Sequence, residues 1–261
     1  MTTLLLCLLL AMSACSDKGP TQTPGPEGPL EILFVGSSFL AYGETDVVDT
    51  LAAFAGRGGR GLSVHRRVLS GFSLARHAQN EQTLSAIDQV NWDAVVIQGS
   101  GTYLAKPEWH EDVFPHLATL TQAARSRSPA ARIIYVMPWA FKDGLQWIEG
   151  ETATYQQMQT TINEVAIQFA DSLSISVAPV GPAWQQVMAS DYEQDLFFAD
   201  LSHQSVYGAY LTACVLYTTL FLEPVPATSF TGRDDLESYP PLLSVAYDTV
   251  MDDLVRWNLD E

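Results

Sequence analysis

Five short apolar runs, each followed by a longer amphipathic stretch, constrain the fold more than any other feature of this sequence. The runs are EILFVG at 31–36, LSVHRRVL at 62–69, DAVVIQG at 93–99, ARIIYVMP at 131–138 and SISVAPVG at 174–181. Helical patterning falls near 45–56, 73–89, 110–127, 151–171, 205–221 and 242–257. Strands that alternate with helices of this length predict a parallel sheet with helices on both faces. The strands are continuously apolar rather than alternating, which fits burial on both sides. The expectation is one doubly wound α/β domain with five strands, spanning residues 30–261. A chain of 261 residues is long enough for one such core.

What precedes this domain reads differently. Residues 1–14, MTTLLLCLLLAMSA, carry no charge and centre on a leucine run too short to span a bilayer, as in the apolar core of a secretory signal peptide. The stretch Met12-Ser-Ala-Cys15 resembles a bacterial lipobox, which makes Cys15 the expected lipidation site and its lipid a membrane anchor. Residues 15–29 then form an expected tether, since SDKGPTQTPGPEGP has no apolar periodicity. The expected location is the bacterial cell envelope, outside the cytoplasm. With Cys7 in the signal and Cys15 modified, only Cys214 remains in the domain, so no internal disulfide can form. Its apolar surroundings, YLTACVLYTTLFL, predict a buried thiol.

Net charge narrows the partners. With 13 basic against 30 acidic residues the chain carries −17, which repels phosphate backbones and argues against nucleic acid. Gly56-Arg-Gly-Gly-Arg-Gly61 fits a dinucleotide-binding spacing, but it follows a helix and precedes a strand, the reverse of what that fingerprint requires.

In a doubly wound sheet, ligands bind beyond the carboxyl ends of the strands. Gly36-Ser37-Ser38, Ser70-Gly71-Phe72, Gln98-Gly99-Ser100 and Pro138-Trp139 stand there. A serine becomes a nucleophile only with a base beside it, itself oriented by an acid. Of the five histidines, His65 lies inside a strand, and His110 and His116 lack the spacing of a zinc site, so no metal is expected. His203 sits just before a helix with Asp200 three residues earlier, a spacing that lets the carboxylate reach Nδ1 while Nε2 faces a cleft. Leu40 stands where a Gly-x-Ser-x-Gly elbow would need glycine, which disfavours the common α/β-hydrolase arrangement.

These blocks resemble the SGNH (GDSL-like) hydrolases. Gly36-Ser37-Ser38 stands where that family has Gly-Asp-Ser or Gly-Asn-Ser, Gly71 matches the second-block glycine, and Asp200-x-x-His203 matches the C-terminal acid and base. The resemblance runs from about residue 31 to about residue 221 and departs in two places: Ser37 replaces the acid or amide, and Gln98 stands in the third block, as in a divergent branch. It implies Ser38 as nucleophile, His203 as base and Asp200 as its orienting acid. The backbone N–H groups of Ser38 and Gly71 and the amide of Gln98 would form the oxyanion hole, with no cofactor. The implied activity is ester hydrolysis, with a short-acyl or O-acetyl ester of a carbohydrate as the preferred substrate class. A lipid esterase or thioesterase is the alternative among enzymes, and a non-catalytic glycan- or peptide-binding lipoprotein the alternative outside them. The aromatics Tyr42, Trp139 and Trp184, with Tyr103 and Trp109, stand near the expected cleft rim, where rings could stack on sugars, the alternative being that they fill the core or cover a loop.

Overall fold

A computed structural model describes residues 28–146, 148, 150, 152–226 and 240–260. The signal peptide, Cys15 and all but the last two tether positions therefore lie outside the described residues, as does most of the loop before the final helix. Among the described residues, no helix is long and apolar enough to cross a membrane.

All five expected strands form. β1 (Leu30–Gly36) starts the domain, and a two-residue hairpin follows it, β2 (Ala41–Tyr42) against β3 (Thr45–Asp46). β4 (Leu62–Val68), β5 (Ala94–Gln98), β6 (Arg132–Val136) and β7 (Ser176–Ala178) complete a parallel sheet in the order β4-β1-β5-β6-β7. The burial explains the sequence pattern. Ile32 to Val35 and the whole of β5 are buried, whereas β4, an edge strand, is only half-buried and carries His65, Arg66 and Arg67.

The chain leaves β1 toward β4 through α1 (Val47–Arg57) and then reverses across the sheet toward β5, β6 and β7. Right-handed crossovers in opposite directions place their helices on opposite faces. One layer accordingly holds α1 and α8 (Val206–Phe221), with α9 (Pro240–Met251) packed on α8. The other holds α2 (Leu74–Ala78), α3 (Glu81–Ile87), α5 (Phe114–Arg127) and α6 (Tyr155–Leu173), with the short α4 (Gly101–Leu104) against α6. α7 (Val180–Met188) touches both α6 and α8. α8 is apolar all round because helices surround it, and Cys214 is buried there as expected, its thiol ionisation pushed up by burial.

Boundaries differ where local caps override periodicity. The expected helix at 73–89 is two helices, because Asn80 accepts the Thr83 N–H (2.9 Å) and restarts the chain. The helix expected from 110 begins at Phe114, after a 3-10 turn at Pro107–Asp112. The strand expected at 174–181 covers only Ser176–Ala178, since Pro179 opens α7. That helix and the β2–β3 hairpin were not anticipated from sequence.

Candidate active site

β1 lies where the strand order reverses, and its carboxyl end opens the crevice that such a reversal creates. Gly36 ends the strand because nothing larger fits: a Cβ there would stand 2.8 Å from both Gln98 Oε1 and Leu40 Cδ1. The Gly36 carbonyl is held by the Leu69 N–H (2.9 Å) and by Nε2 of the fully buried His77 (3.0 Å). One residue on, the Ser37 N–H (2.9 Å) and hydroxyl (3.1 Å) both donate to Gln98 Oε1. The two departures from the resembled motif are thus one contact: the serine and the glutamine pair with each other. Gln98 spends an amide hydrogen on the Gly99 carbonyl (2.7 Å), which leaves its second N–H to offer.

Ser38 is placed by that braced backbone and by Gln204, whose Nε2 donates to the Ser38 carbonyl (3.1 Å). Its Oγ lies 2.8 Å from His203 Nε2, and His203 Nδ1 lies 2.7 Å from Asp200 Oδ2. A carboxylate only accepts, so Nδ1 carries the ring proton and Nε2 is free to accept the serine hydrogen. Residues 165 positions apart meet in one hydrogen-bonded chain.

Asp200 and His203 share a compact turn. Asp200 Oδ1 accepts the backbone N–H groups of Ser202 (3.0 Å) and His203 (2.9 Å), while Oδ2 takes the imidazole. Partial burial works against the Asp200 charge, but those two N–H groups, the His203 ring and the Tyr42 hydroxyl outweigh it and hold the carboxyl far below the usual carboxylate range. Leu201 turns the corner at φ 62°, and its carbonyl accepts the Lys142 N–H (2.9 Å). Trp139 Nε1 donates to the Ser202 carbonyl (2.9 Å).

That last bond corrects a sequence expectation. Trp139 and Trp184 do not line the cleft: they are 3% and 0% exposed and stack on each other with centroids 4.2 Å apart. They are buried because the loop carrying His203 lies over them, so neither ring is presented to a substrate. Tyr42 is near the site but is stacked on His203, centroid to centroid 3.7 Å. Tyr103 and Trp109, beyond β5, stay partly accessible.

Gly71 adopts φ 71°, a conformation that favours glycine, and Arg76 Nη1 holds its carbonyl (3.2 Å). The N–H groups of Ser38 and Gly71 have no partner among the described residues. Beside Asp200, a cavity of about 470 Å³ is lined by Phe141, Asp143, Gln146, Leu201 and Ser202. Phe198 and Leu201, 47% and 39% exposed, give this side of the site an apolar rim. No cluster of three or more metal-ligating side chains occurs among the described residues. Nothing in the sequence marks Phe39 or Gln204: Phe39 adjoins Ser38, but only the folded chain reveals what these two side chains touch.

No protein-family model matches this sequence, and no curated protein matches it. Solved structures do. A DUF4886 family protein from Bacteroides uniformis aligns over 87% of this chain and 95% of its own, with a TM-score of 0.67 and 17% identity. A proposed SGNH hydrolase from Slackia heliotrinireducens aligns over 74% and 100%, with a TM-score of 0.61 and 23% identity. An acetylxylan esterase from Geobacillus stearothermophilus aligns over 77% and 99%, at 0.58 and 17%. The chain therefore has the SGNH hydrolase fold, as its sequence blocks led one to expect.

Proposed function

We propose that the protein is a serine esterase in which Ser38 is the nucleophile, His203 the general base and Asp200 the residue that orients it. The observation that carries this reading is the continuous path from Ser38 Oγ through His203 to Asp200, at 2.8 and 2.7 Å. The likeness in fold to an acetylxylan esterase and to a lipase/acylhydrolase from Enterococcus faecalis supports it. Ser38 Oγ attacks the ester carbonyl as His203 Nε2 takes its proton. The oxygen that becomes negative is met by the unpartnered N–H groups of Ser38 and Gly71, with the second Gln98 N–H as a third donor. Collapse expels the alcohol, which leaves with the proton from Nε2. Water then repeats the sequence on the acyl-Ser38 ester and releases the carboxylic acid.

The preferred substrate is a short-acyl or O-acetyl ester of a carbohydrate, with the enzyme held at the cell envelope by a lipid on Cys15. Accessible Tyr103 and Trp109 beyond β5 favour a sugar-bearing alcohol. The exposed Phe198 and Leu201 favour the second reading, a longer apolar group such as a lipid ester. A soluble form starting near Leu30 would be assayed on acyl esters of increasing chain length and on an acetylated glycan. The carbohydrate reading expects acetyl esters to be hydrolysed fastest and activity to vanish in Ser38→Ala. Rates that climb with chain length would move the assignment to lipids, and a folded protein inert toward every ester would remove the esterase reading.

A further inference from the structure

Both faces of the His203 imidazole are covered by aromatic rings from the loop that begins at the nucleophile. Tyr42 stacks on it with centroids 3.7 Å apart and planes 6° from parallel; Phe39 does so at 4.7 Å and 14°. Two rings that close and that nearly parallel to one imidazole would overlap if they shared a face, so they lie on opposite faces. We propose that Phe39 and Tyr42 are positioning residues that clamp the general base between them, their π faces favouring the imidazolium that forms as His203 takes the serine proton. The proposal rests on the esterase reading above.

Three features support it. First, the rings belong to a braced segment. Phe39 follows Ser38 directly, and the Val47 N–H bonds the Leu40 carbonyl (2.9 Å). Thr45 Oγ1 donates to the Tyr42 carbonyl (2.7 Å), and Arg66 bridges Asp46 and Asp49 at the hairpin's base. The same segment therefore sets the nucleophile and the base. Second, the chemistry favours the charged ring over the neutral one. An aromatic face attracts a cation held within about 6 Å, so each ring stabilises the imidazolium more than the imidazole. Only such a differential effect lowers the barrier. Third, Tyr42 is not simply a core residue. It is half-buried, its outer neighbour is the exposed Phe198 at 5.3 Å, and its hydroxyl is directed at the Asp200 carboxylate, which pushes the phenol's ionisation up.

The test compares wild type, Tyr42→Phe and Tyr42→Leu on a short-chain activated ester, with Phe39→Leu as a second variant. Circular dichroism would check that each variant is folded. Loss of one ring face should lower kcat by about tenfold and leave KM essentially unchanged. Tyr42→Phe, which keeps the ring, should stay within about threefold of wild type. The His203 Cε1–H resonance, which needs no substrate, should lie upfield in wild type and Tyr42→Phe and move downfield in Tyr42→Leu. An unchanged kcat in folded Tyr42→Leu, or a loss confined to KM, would overturn the clamp while leaving the esterase intact. Equal damage in Tyr42→Phe and Tyr42→Leu would also overturn it, by assigning the effect to the hydroxyl on Asp200. A folded wild type that neither hydrolyses esters nor carries a reactive Ser38 would overturn the esterase reading and the clamp's catalytic role with it.

Discussion

The two halves of the candidate site are built in different ways. The proposed nucleophile, Ser38, stands at the end of a central strand, its backbone fixed by neighbours in the sheet: Gln98 at the end of β5 takes both Ser37 donors, and His77 holds the Gly36 carbonyl. The proposed acid and base, Asp200 and His203, stand on an excursion from the sheet, residues 197–204, closed by an isolated bridge between Phe197 and Gln204. That loop is organised by its own aspartate and then seated on Trp139, Phe39 and Tyr42. The serine is thus positioned by strand register, the histidine by a local turn and aromatic packing. The first half should tolerate loss of side-chain contacts better than loss of backbone fit. The second should be sensitive to any contact that orients a ring.

Asp200→Asn removes the orienting charge and should lower kcat by about 10⁴-fold, measured on a short-chain ester. The same carboxylate also caps its own turn, so the variant should be less stable near neutral pH. The folded carboxyl is held well below its ordinary value of about 3.9, so its charge adds stability above that pH and loses it progressively as acid protonates the native state. Denaturant titrations of wild type and Asp200→Asn should therefore converge as the pH falls below about 4. A constant gap would mean that the charge is not the cause.

On the nucleophile side, Gly36→Ala places a methyl 2.8 Å from Gln98 Oε1 and Leu40 Cδ1 and should cost about 1–3 kcal/mol in a chemical melt. The displaced Gln98 should lower kcat as well. Ser37→Ala, which loses only the hydroxyl donor and keeps the N–H, should cost about 1 kcal/mol and leave KM alone. Trp139→Phe, on the other half, keeps a ring against Trp184 but loses the bond to Ser202 that seats the His203 loop, so kcat should fall further than in Ser37→Ala, with no change in KM for any carbohydrate ester. A rise in KM alone would restore that tryptophan to the cleft.

The sequence was most legible where burial is simplest. β1, β5 and β6 read as strands because both of their faces are covered, and Ser38 stands out as a polar residue at the end of such a run. Asp200 and His203 are visible through a spacing that a single turn imposes. What the sequence hid depends on contacts across the chain. Val180-Gly181 continues the apolar run of β7 and reads as strand, yet it opens α7, since Pro179 ends the ladder. Trp139 and Trp184 are large rings near the right strand ends, and nothing local says that the His203 loop covers them. The pairing of Ser37 with Gln98 joins positions 61 apart, so two apparent departures could not be recognised as one bond.

In the proposed mechanism His203 activates Ser38 and not its neighbour Ser37. The most direct test treats the folded domain with a serine-directed fluorophosphonate and maps the adduct by tandem mass spectrometry, in wild type, Ser38→Ala and His203→Ala. A single adduct on Ser38 that disappears in both variants is the predicted result. An adduct on Ser37, or labelling of Ser38 that persists undiminished without His203, would contradict it.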